Sequence, residues 1–340
     1  TAVFLSAFAF TELLRRHPES ASGSAYYFAQ KTFLDKRQST HPQSVRAIKF
    51  VTGWAAHLFY WGYPGVMVAF MTTLITYLFG QFGINLPVIG QIGVAILFAV
   101  AVGTIALRGI SGSTTTSIMI NVIQITTLVL FSALAIHFRN TNPLSLQPSE
   151  WFHADAGSIL LPHSLTGMLF QAAIAILILV GFESSSGFAA EALQPRRDIP
   201  RAVILSLIIQ GVFAYLFQYF AANYALGEWL GTGGLNAAAA SGAPIGDMAI
   251  RIGDALLENN GFALMIILAS SVAIAILGTT LASFNTGVRI GFAMAQDRHM
   301  PEILGALPAR YATPYTGVIV MVIVSALIGS IGVVGGVVTL

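Results

Sequence analysis

Cysteine is absent from the 340 residues, and Asp, Glu, Lys and Arg together make up only 9% of them. The first absence excludes disulfides, thiolate metal sites, cysteine nucleophiles and a disulfide-linked subunit within this chain. The second excludes an ordinary soluble domain, which carries about 25% charged residues. No nucleophile stands at a spacing that suggests an adjacent base, and His57 has no second histidine or acid at ligand spacing that would argue for a metal. Neither catalytic residues, nor a metal, nor a cofactor is therefore expected. A low-complexity tail and a nucleic-acid module are also missing, so no nucleic-acid partner is expected.

What the chain has in abundance is apolar sequence: 56% hydrophobic residues and a mean hydropathy of +0.77. A bilayer crossing needs about 20 mostly apolar residues. Runs of that kind fall at about 1–14, 50–79, 87–107, 113–138, 165–193, 202–226, 262–294 and 316–340. Long continuous runs call for helices, because barrel strands are short and alternate. The expectation is an all-α polytopic bundle forming one transmembrane domain over 1–340, with the lipid bilayer as its surroundings. Because the chain opens and closes inside apolar runs, it is expected to be a segment of a longer membrane protein.

Basic residues set the orientation. Eight crossings put Arg15, Arg16, Lys31, Lys36, Arg37, Arg46, Lys49, Arg108, Arg196, Arg197, Arg201, Arg289, Arg298 and Arg310 on one side, and only Arg139 and Arg251 on the other. The richer side should be cytoplasmic. The loops at 15–49, 108–112, 195–201 and 295–315 are then inside. The outer loop at 227–260 is Gly/Ala-rich, with a short helix expected near Ile245–Leu257.

One run is broken. Apolar sequence up to Val180 is followed at once by Gly181, Phe182, Glu183, Ser184, Ser185, Ser186 and Gly187, and resumes at Phe188. Irregular backbone at membrane depth is tolerated only where protein or a cavity surrounds it, which marks a binding site. Serines at the start of the second half-helix suit N-capping, and its free N–H groups suit a carboxylate. They could equally do no more than satisfy backbone. Glu183 is either a counter-charge for a cationic group or a proton carrier, and a buried structural acid is the plainer alternative.

Other candidates are weaker. Tyr63 neighbours Pro64, which withholds a hydrogen bond from the Tyr60 carbonyl. His57 is expected to be a hydrogen-bonded core histidine. Glu12 is set to pair with Arg15 or Arg16, and Glu191 with the arginines after it. Asn285 and Arg289 share a helix face, and Asp297, Arg298, His299 and Pro301 close that helix as an inner gate or an interfacial anchor.

At this point four ordered stretches resemble the amino acid–polyamine–organocation permease superfamily. They are Gly181–Arg201 (GFES, AAE, then PRRDIPR); Thr11-Glu12-Leu13 with Pro18 and Ser22–Tyr26; Asn285, Arg289, Ala293–Ala295, Asp297 and Met300-Pro301; and Thr313-Pro314. The resemblance covers essentially the whole chain, from that family's second helix to its ninth. It implies a partial inverted-repeat (5+5), leucine-transporter-like fold with a broken sixth helix. It also implies transport of an amino acid or related amine across the plasma membrane by alternating access. Gly181–Gly187 would form half of the substrate site, with Phe182 a gate. The coupling ion, proton or sodium, and the oligomeric state stay open. A membrane sensor that keeps the fold but moves nothing is the alternative, and an integral-membrane enzyme a distant third.

Overall fold

The computed structural model describes residues 2–17, 25–29, 31, 42–107, 114–145, 164–169, 181, 192–220, 241–306 and 314–336. Eight α-helices are named here in chain order: α1 Ala2–Arg16, α2 Pro42–Gln81, α3 Val88–Leu107, α4 Thr114–Thr141, α5 Pro195–Phe220, α6 Pro244–Leu256, α7 Gly261–Gln296 and α8 Tyr315–Val334. A 3-10 turn, Glu302–Gly305, links α7 to α8, and there is no strand among the described residues. Within α2, α3, α4, α7 and α8 lie five stretches long and apolar enough to cross a membrane. The protein is thus an all-α, multi-pass helical bundle.

Two helix starts differ from hydropathy. Helix α2 begins at Pro42, not at Phe50, and carries polar residues in its first turns. Proline needs no partner for a missing N–H at a first helical position, and Lys49 finds one across the bundle, so the helix runs on past the apolar boundary. Helix α5 begins at Pro195, so 195–201 is helical and not a loop. The Gln194 carbonyl accepts from the Asp198 amide at 2.9 Å, Pro195 takes the first helical position, and Asp198 sits near the positive end of the helix dipole. These local preferences outweigh the polarity that suggested a loop.

Helices α2, α3, α7 and α8 pack into one body, α1 packs on α5, and α6 lies on α7. Helices in lipid gain little from hydrophobicity alone, so close approach through small residues decides the contacts. A Cβ on Gly65 would stand 2.5 Å from Ile328 Cβ, one on Gly329 2.5 Å from Val68 Cγ1, and one on Gly103 2.2 Å from Val322 Cγ2. Alpha-two and α8 thus exchange glycines against branched side chains. Two buried threonines inside the spans close on their own helix: Thr72 donates to the Val68 carbonyl at 2.8 Å and Thr280 to the Ile276 carbonyl at 2.6 Å.

The tightest approach is between α6 and α7. A Cβ on Gly261 would lie 1.9 Å from the Ile250 carbonyl oxygen, and one on Gly253 2.5 Å from the Gly261 Cα. Backbone cannot rotate aside as a side chain can. Gly261→Ala is expected to cost at least about 1–3 kcal/mol, the range for overpacking. Its melting temperature in detergent should drop clearly below that of Gly93→Ala, a site with nothing within 4 Å. Equal melting of the two variants would refute the contact.

Candidate functional site

A cavity of about 800 Å³ lies between α2, α4, α5, α7 and the start of α6. Spacing puts its polar groups in pairs on helix faces: Asn121 and Gln124 on α4, three apart, and Ser206 and Gln210 on α5, four apart. Thr279 of α7 joins them. At the C-terminal end of α2 the Tyr77 hydroxyl donates to Asp247 Oδ1 of α6 at 2.8 Å, and Ser241 donates to the other carboxylate oxygen. The Ala243 amide in turn donates to Ser241 Oγ at 3.1 Å. These bonds hold α6 across one end of the cavity.

A second polar cluster sits at the opposite end of α2, about 42 Å along the helix axis at 1.5 Å per residue. Lys49 Nζ donates to Asp297 Oδ2 at 2.6 Å, and the Tyr26 hydroxyl donates to the same oxygen at 2.6 Å. His299 Nδ1 lies 2.9 Å from that hydroxyl. Lys49 is 6% exposed and Tyr26 fully buried, and the ammonium stands 4.4 Å from the Tyr26 ring centroid. Such a stack of donors and a cation–π contact offsets the removal of a lysine from water. Burial alone would raise the Asp297 pKa. The hydrogen bonds from Lys49 and Tyr26, with the charges of Lys49 and His299, outweigh it and hold the carboxyl below its usual range. Burial first, and then the hydrogen bond to Asp297, push the Tyr26 phenol well above its ordinary value.

This cluster joins segments that the sequence holds far apart. Tyr26 and Asp297 belong to two separate motif stretches, and both meet the start of α2. Sequence reading singled out Asp297 and His299 but counted Lys49 only as a positive charge. A lysine directly before the apolar run at 50–79 was the available signal.

The remaining candidates fall in different places. Gly181 has φ +114°, a value that no right-handed helix contains and that glycine tolerates best. Phe182, Glu183, Ser184, Ser185, Ser186, Gly187 and Glu191 lie outside the described residues. Tyr63 is half-buried and stacks on Phe59 at 5.5 Å, packed against the core cluster of α2, α4, α6 and α7, and does not line the cavity. Asn285 is partly exposed and Arg289 exposed, one turn apart on α7. Arg16 Nε pairs with Glu12 Oε1 at 2.7 Å on an exposed face, which contributes little.

His57 corrects its expectation. It is 2% exposed, yet neither ring nitrogen has a hydrogen-bond partner among the described residues. It is held by shape instead: its ring lies 4.6 Å from that of Trp61 and 6.0 Å from that of Trp54. Gly291 leaves the slot, since a Cβ there would be 3.1 Å from His57 Cε1. The cavity's polar residues were not anticipated either. Gln124 and Gln210 stand inside apolar runs, and an uncharged amide in such a run was a usable signal that charge counting passes over.

Among the described residues no group of three His, Asp or Glu side chains could hold a metal. A bundle of long apolar helices, around a cavity with no charged side chain among its described lining residues, belongs to the class of multi-pass membrane proteins. The sequence model of the amino acid permease family matches residues 1–339, and the chain belongs to that family. It is 23% identical to the vacuolar cationic amino acid transporter 4 of Arabidopsis thaliana over 96% of this chain. It is 25% identical to the aromatic amino acid transport protein AroP of Escherichia coli CFT073 over 62% of this chain. It is also 24% identical to the branched-chain amino acid permease BcaP of Bacillus subtilis over 97%. The chain spans 50%, 41% and 65% of those relatives' own lengths, respectively.

Proposed function

We propose that the whole protein is a secondary active transporter of the cytoplasmic membrane, moving an amino acid or related amine by alternating access. The observation that carries this reading is the cavity of about 800 Å³ between apolar helices, with α6 across one end. A transporter needs such a chamber between helices, with a cover that polar bonds can hold and release. The charged head of the substrate is assigned to the break at Gly181–Gly187, with Glu183 as its counter-charge or proton carrier. Asn285 and Arg289 line the inner path as gating residues. The names of the relatives support an amino acid substrate and divide among cationic, aromatic and branched-chain types, so they do not choose among these.

The test is uptake by the full-length protein in proteoliposomes, with proton and sodium gradients imposed separately. Saturable, gradient-driven accumulation of a labelled amino acid supports the reading and identifies the coupling ion. Thermal stabilisation by an amino acid with no flux would replace transport with the sensor reading.

Orientation is tested separately. In the cysteine-free background, Ser44→Cys is expected to react with an impermeant maleimide only from the cytoplasmic side, and Ala238→Cys only from outside. Both reacting from one side would overturn the sidedness of the segments at 15–49 and 227–260.

A further inference from the structure

The chamber's walls say what kind of side chain it admits. An engineered cavity of about 150 Å³ already takes a benzene ring, so about 800 Å³ holds an aromatic or branched side chain with space to spare. Leu74, Leu128, Phe213, Met265, Leu268 and Val272 form much of the lining. Among the described lining residues there is no Asp, Glu, Lys, Arg or His.

Some polar groups at the wall are engaged. Asp247, reached through Tyr77, already accepts from Tyr77 on one oxygen and from Ser241 on the other. The Ser206 hydroxyl donates to the Val203 carbonyl at 2.9 Å. Gln124 and Gln210 make no hydrogen bond to another described residue, and both are neutral amides that face the chamber from different helices.

We infer that this cavity is the side-chain subsite of the substrate and selects neutral amino acids with apolar side chains over cationic and anionic ones. The inference rests on the transport reading above, which places the substrate's charged head elsewhere, at 181–187. Among the described lining residues, a lysine or arginine side chain entering here gives up its water and meets no carboxylate, and a glutamate side chain meets no cation. The penalty for an unpaired charge at membrane depth corresponds to a discrimination of about a hundredfold. A leucine or phenylalanine side chain loses nothing polar and gains burial.

The experiment measures uptake of labelled leucine by the full-length protein in proteoliposomes, competed by phenylalanine, lysine, arginine and glutamate. Phenylalanine is expected to compete at concentrations about a hundredfold lower than any charged competitor. Lysine or arginine competing as well as phenylalanine would overturn the inference and leave transport standing. No uptake of leucine, lysine or glutamate would overturn the transport reading, and this subsite with it. Gln210→Glu then adds a carboxylate to the wall. It is expected to narrow the phenylalanine-to-lysine ratio at least about tenfold, and Gln124→Glu repeats the test from α4 should the first variant not fold. An unchanged ratio in a variant that still takes up leucine removes this cavity from the substrate path.

Discussion

Uptake by the full-length protein carrying Glu183→Gln is expected to fall about a hundredfold or to lose its dependence on the proton gradient, while the protein still folds. Glutamine keeps the shape of the side chain, replaces one acceptor oxygen with an N–H donor group, and removes the charge and the exchangeable proton. If the carboxylate pairs with the substrate's ammonium, the variant loses an interaction comparable to the roughly 2.5–3.5 kcal/mol that an unpaired charge costs at membrane depth. If instead the carboxyl carries a proton in the cycle, the amide cannot, and flux becomes independent of pH. Either result places Glu183 in the mechanism. Unchanged uptake with unchanged pH dependence, from a variant that elutes as a monodisperse species, would remove it and leave the break at Gly181 a structural feature only.

The second large effect concerns the polar cluster at the start of α2. Asp297→Asn removes the acceptor charge from Lys49, which is 6% exposed, and weakens the bond from Tyr26. Breaking a fully buried pair costs about 3–5 kcal/mol, whereas exposed pairs are worth about 0–1. Because the Asp297 side chain is 37% exposed and water reaches one partner, an intermediate loss of about 2 kcal/mol is expected. Lys49→Met in the same chain should restore most of it, since no orphaned cation then stays in the core. A double variant as unstable as the single one would show that the pair does not act as a unit.

The same carboxyl predicts a pH effect whose sign follows from its depressed pKa. A group that is more acidic folded than unfolded stabilises the fold above its unfolded value, near about 4. That contribution is lost as pH falls through the folded value. Melting temperature should therefore decline more steeply below about pH 4 in the parent protein than in Asp297→Asn. The phenol of Tyr26, shifted upward, keeps its proton throughout that range and does not confuse the measurement.

Much of the architecture could be read from composition because the cost of placing a residue in hydrocarbon is paid residue by residue. The apolar runs at 87–107 and 316–340 are met by α3 and α8 at Val88–Leu107 and Tyr315–Val334 for that reason. Helix ends at 42 and 195 were hidden because proline geometry, a helix dipole and one distant carboxylate decided them, and hydropathy records none of these. His57 was misjudged for a related cause. A histidine's partner is a tertiary fact, and here a glycine on α7 supplies room while no described residue supplies a hydrogen bond.

Sequence by itself determined that this chain is a helical membrane protein, and it marked the interruption at 181–187, because partitioning and helix-breaking are local energies. Its ordered motifs likewise carried the family. Only the tertiary structure decided that Tyr26 and Lys49 meet on one Asp297 oxygen, that α6 is pinned to α2 and α7, and that five helices border a cavity with no charged side chain among its described lining residues. Those contacts depend on which glycines let which backbones approach, and that complementarity between surfaces cannot be read from either strand of sequence alone.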